Sequence, residues 1–180
     1  MRQLSIGVFY ITLIGIQVYQ AITTPVTLTS ILFIVNNAIL VLHLWYGTYL
    51  FVRHLRPLRQ RSNLIIILPT LGAIAVASIN VQKPIFWTYA YGIAFTLVLL
   101  CYQRLYAQHT ARSTRKYIHW KIKSELPIPF LFFAGSVSLL MFPGASAGIA
   151  AATLCIQVGF IALLALKKVY RLAPGEAGKT

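Results

Sequence analysis

The chain contains no aspartate and only two glutamates, Glu125 and Glu176, against sixteen lysines and arginines. Charged residues make up 10% of its 180 positions, where globular chains carry about 25%. The shortage of acids excludes paired-carboxylate acid/base chemistry, and a serine–histidine–acid triad would lack its acid within the apolar part of the chain. Cysteine is equally scarce. Cys101 and Cys155 both lie inside apolar runs and offer neither a disulfide framework nor a metal-ligand spacing. There is no Gly-rich phosphate loop, no Cys-x-x-Cys and no His-Glu-x-x-His. Catalysis is not expected from these residues, and no cofactor is implied by a motif.

What remains is apolar. Hydrophobic residues reach 58% and the mean hydropathy is +0.76. A chain this short has a large surface for its volume, so a water-soluble fold would need far more polar residues. Disorder is excluded by the same richness in apolar residues. The composition predicts an all-α, polytopic integral membrane protein.

Spanning helices need about 20 mostly apolar residues. Six segments are read this way: residues 4–21, 28–52, 64–81, 84–106, 128–142 and 145–169. The fifth is short enough to cross only a thin region or to be re-entrant. The first is read as a retained span rather than a cleaved signal, because Tyr19-Gln20-Ala21 lacks the small-x-small pattern of a cleavage site. One membrane domain over residues 1–172 and a short polar tail over 173–180 are expected.

The breaks alternate in character. Those around Pro25, Lys83 and Pro143-Gly144 are short turns, whereas those around residues 53–61 and 104–123, and the region from Lys167 onward, are basic. Fifteen of the sixteen cations lie at one end of the spans, and Lys83 is the exception. The positive-inside rule then puts both termini and both basic connections in the cytoplasm. The expected architecture is a six-helix bundle of three hairpins, in a cytoplasmic (inner) membrane of bacterial type. A pI near 10.3 would suggest nucleic acid in a soluble protein. Here the cations instead suit anionic lipid headgroups, and no nucleic-acid partner is expected.

Polar residues inside the spans are the candidates for function. On the second span Asn36, Leu40, His43, Gly47, Leu50 and His54 recur at steps of three or four and share a face, with Asn37 beside it. Asn36 and His43 could line a cavity or pathway; the asparagines could equally serve as interhelical hydrogen bonds, worth about 0.6 kcal/mol each. Gln17 on the first span and Gln157 on the sixth could join the same polar interior. His43 followed by Gly47 also suggests a haem-binding helix, but a bis-histidine haem needs a second axial ligand at the same depth. His54 shares the helix of His43, and His109 and His119 lie in a basic connection.

Small residues mark close helix approach. Gly144, Gly148, Ala152, Cys155 and Gly159 form one such face, and Thr88, Gly92 and Thr96 another. One should pack within the bundle, and a spare one could dock a second copy or a partner membrane subunit. If the first face packs, Gly148→Leu should destabilise the protein. Trp87, Tyr89 and Tyr91 read as an interfacial aromatic belt. Three functions fit: a transport or channel protein with a polar cavity, or a transporter's membrane subunit; a structural subunit of a larger complex; or a haem- or quinone-binding anchor.

Overall fold

The computed structural model describes residues 2–55, 61–108 and 112–166. The polar tail, His109 and the middle of the first basic connection lie outside them. The described residues form seven α-helices and no strand: α1 (Arg2–Thr23), α2 (Leu28–Leu55), α3 (Arg61–Ile79), α4 (Pro84–Gln108), α5 (Arg112–Glu125), α6 (Pro127–Met141) and α7 (Ser146–Leu166). Four stretches are long and apolar enough to cross a membrane, within α2, α4, α5–α6 and α7, and α1 and α3 contribute two shorter ones. The outward faces are apolar as well as the core: Ile11, Ile22, Ile65, Phe130 and Leu140 are all more than half exposed. Helices apolar on all sides suit hydrocarbon rather than water.

The short turns have local causes. Before α2, the Thr27 hydroxyl accepts the Ser30 N–H at 3.1 Å, and the Ser30 hydroxyl accepts the Thr27 N–H at 2.9 Å. This reciprocal pair is a capping box. Pro84 opens α4, where its missing N–H costs nothing, and the Lys83 carbonyl accepts the Trp87 N–H at 3.0 Å. A single 3₁₀ turn, Pro143–Ala145, joins α6 to α7.

The fifth segment differs from the sequence expectation. It is not an isolated short helix, because α5 runs into it. Leu126 keeps helical backbone angles and its N–H reaches the Ile122 carbonyl at 2.9 Å. Thr114–Met141 is thereby a stretch of 28 residues. Pro127 and Pro129 only interrupt the hydrogen-bond ladder. The basic connection is thus a helix with two faces. Thr114, Tyr117, Ile118, Lys121 and Glu125 are buried, while Arg112, Arg115, Lys116 and Lys123 are exposed.

Helix α4 is the centre of the bundle and packs against α3, α5 and α6, whereas α7 packs on α2. Trp87 and Tyr91 are fully buried in the core, not in a surface belt. Trp87 meets Phe33, Tyr91 and Phe132 edge-on at centroid distances of 5.2, 5.0 and 5.7 Å. Only Tyr89 of that trio faces outward. The aromatic belt fails because α6 covers this face of α4.

The two small-residue faces separate clearly. A Cβ added at Gly92 would stand 2.7 Å from the Phe133 ring, and the Thr88 and Ser136 hydroxyls meet at 2.7 Å. This face is the α4–α6 seam. By contrast Gly144, Gly148, Ala152, Cys155 and Gly159 are all exposed, and a Cβ added at any of the three glycines meets nothing within 4 Å. This face is the spare one, so Gly148→Leu should leave the thermal midpoint of the detergent-solubilised protein unchanged. Gly92→Leu should lower stability by about 1–3 kcal/mol through overpacking. Equal midpoints for the two variants would show that the α4–α6 seam is misassigned.

Candidate functional site

The second span delivers its polar residues to different places. The Asn37 Oδ1 accepts hydrogen bonds from the Trp87 indole N–H at 2.9 Å and the Tyr91 hydroxyl at 2.7 Å. The Asn36 amide donates to the Ala150 carbonyl of α7 at 3.4 Å. Both asparagines are fully buried and act as ties, joining α2 to α4 and to α7. Neither lines either of the two cavities that meet at His43. Gln17 is buried on α1, away from both cavities, and Gln20 donates to the Ile79 carbonyl at 2.9 Å, tying α1 to α3.

His43 lies where the cavities meet. One, of about 90 Å³, is enclosed by α1 to α5 toward the end that carries the basic connections. The other, of about 210 Å³, lies between α2, α4, α6 and α7 toward the short-turn end. His43 and Phe95 line both and form the partition between them. The imidazole also meets the Phe160 ring edge-on, at a centroid distance of 6.1 Å. His54 is placed only by its position at the end of α2.

Two charged residues of α5 also enter this site. Lys121 and Glu125 line the smaller cavity, 3% and 4% exposed, and form an ion pair one helical turn apart. The bundle therefore holds a buried carboxylate. Its second oxygen, Oε2, has no hydrogen-bond partner. The Lys121 ammonium stands 5.9 Å from the Tyr102 ring centre. The same cavity is lined by Cys101, Thr70 and the hydroxyl pair of Tyr10 and Thr48, 2.9 Å apart. The signal for this inward turn was the spacing of Tyr117, Lys121 and Glu125 at four-residue steps on a helical period.

Gln157 lines the larger cavity, 8% exposed, and neither end of its carboxamide has a partner. One further sequence pattern was missed. Gly144-Ala145-Ser146-Ala147-Gly148 has the Gly-x-Ser-x-Gly spacing of a nucleophile elbow. That elbow needs a strand leading into a helix, and here a 3₁₀ turn after α6 precedes Ser146. Among the described residues no three His, Cys, Asp or Glu side chains cluster as metal ligands. No family model, curated protein or solved structure matches this chain, so the site is read from its own geometry.

Removing one member of a buried ion pair strands the other, at a cost of about 3–5 kcal/mol, whereas replacing both with apolar groups can be neutral. Glu125→Leu should therefore lower the thermal midpoint sharply, and Lys121→Met combined with Glu125→Leu should recover most of the loss. A double variant no more stable than the single one would show that the pair is solvated.

Proposed function

We propose that the chain is a six-span integral membrane protein of a cytoplasmic membrane, with both termini and both basic connections inside. On this reading it is a small transport protein, or the membrane subunit of a transporter, that passes a neutral or anionic solute through the bundle. The observation that carries the reading is the pair of cavities at successive depths, separated by His43 and Phe95. Along α2 and α4 the smaller cavity follows the partition toward the basic end, and the larger precedes it. Ionisable groups inside a spanning bundle mark pathways, and Lys121 and Glu125 line the cytoplasmic cavity. The excess of cations at that end would raise the local concentration of an anion.

A second reading, a subunit of a larger membrane complex, is favoured by the exposed small-residue face of α7. Such a face admits close approach of another helix. The haem reading gains nothing from the site, since His43 is the only histidine lining either cavity.

Accessibility tests the pathway. His43→Cys is made in a background lacking Cys101 and Cys155, and probed with a membrane-impermeant thiol reagent from each side. The expected result is labelling from the cytoplasmic side that is slowed by filling the smaller cavity with Thr48→Phe. An absence of labelling from either side, in a folded variant, would overturn the pathway.

A further inference from the structure

The hairpin α6–α7 is splayed, because α6 is committed to α4 and α7 to α2. The gap between them is the larger cavity, and its mouth opens to the outside of the bundle. Leu131 and Ala134 on α6, and Ala152 and Ile156 on α7, line the cavity and are also exposed. In a six-span bundle that mouth faces the hydrocarbon of the bilayer.

Its chemistry is specific. Phe95, Phe132 and Phe160 supply ring surfaces, and no lysine, arginine, aspartate or glutamate lines it. A charged ligand would be left without a counter-charge, at a prohibitive desolvation cost. Gln157 adds an N–H₂ donor and a carbonyl acceptor, both buried and both unpartnered. Buried polar atoms are normally paired. A hydroxyl both donates and accepts, so it can satisfy either end of the carboxamide. An ether or ketone can serve only the donor. An apolar cavity of about 150 Å³ accommodates benzene, so one of 210 Å³ has room for a molecule of about eight heavy atoms by simple proportion.

We propose that the cleft between α6 and α7 binds an uncharged, flat amphiphile that carries one hydroxyl-type group, enters from the bilayer and is held by Gln157. The site rests on the cavity assigned above to the transport path and names the solute class for it. Binding is nonetheless independent of movement across the membrane, and the two are measured separately.

The probes are p-cresol and p-xylene, which match in shape and in number of heavy atoms and differ by the hydroxyl. Binding to the detergent-solubilised protein is followed by ligand-observed NMR on their methyl signals, in wild type, Gln157→Leu and Gln157→Met. Either replacement should weaken p-cresol about tenfold, the value of one well-made hydrogen bond, and leave p-xylene unchanged or tighter. Two variants guard against a folding failure in one of them, and circular dichroism reports that failure directly. Equal responses of the two probes would overturn the proposal and indicate a cleft that takes lipid chains by shape alone. An absence of p-cresol binding to wild type would also overturn it. The arms are distinguishable: p-cresol binding without labelling of His43→Cys would sink the pathway and keep this site, and labelling without binding would do the reverse.

Discussion

A single carboxamide oxygen sets the relation between the two middle helices. Asn37 reaches from α2 to accept both the Trp87 indole and the Tyr91 hydroxyl of α4. All three groups are fully buried, where neither water nor lipid can replace a lost partner. A slip of one turn along either helix would leave two donors stranded, so the register of α2 on α4 is fixed. The aromatic cluster then assembles around that point, with Phe33 and Phe132 against the Trp87 ring. Asn36, one residue earlier, turns roughly 100° away around the helix and ties α2 to α7. Adjacent asparagines thus direct two neighbours to two sides of one helix.

The cavities follow from that division. With α7 held by α2, and α6 held by α4 through the Gly92 seam, the two arms of the last hairpin cannot close on each other. The gap stays open at the depth of His43 and Gln157. On the other side of His43, α5 brings Lys121 and Glu125 against the bundle because its buried stripe of Thr114, Tyr117, Ile118, Lys121 and Glu125 continues to the start of α6. Charge is therefore confined to the smaller cavity, and the larger is left neutral.

Much of this was legible in the chain and some was not. The helices followed from the apolar runs and from Pro25, Pro84 and Pro143. The inward face of α2 followed from Asn36 and His43 at helical spacing. Which small-residue face packs could not follow, because Gly92 and Gly148 have equally suitable local sequences and differ only in whether a Phe133 ring arrives. Trp87 and Tyr91 resembled a belt because their partner, Asn37, is fifty residues away. The burial of Glu125 could not be read because Pro127 and Pro129 hide the helical continuity of α5 with α6, and because Lys121 lies in a run of basic residues. In each case the deciding atom belongs to another helix.

The partition carries the remaining consequence. His43 and Phe95 face both cavities, so anything that repacks them changes both volumes together. Phe95 is fixed from behind, stacked on Phe132 at 5.6 Å with planes 13° apart, and Phe132 in turn rests on Trp87. The ring that separates the cavities is therefore braced by the aromatic cluster that Asn37 holds in register. His43 meets the Phe160 ring of α7 edge-on, and the outer face of α7 is bare at Gly148, Ala152 and Gly159. The partition therefore has two supports: Phe95 is held through the aromatic cluster of α4 and α6, and His43 stands against α7, so the placement of α7 bears on the imidazole side of the partition and not on Phe95.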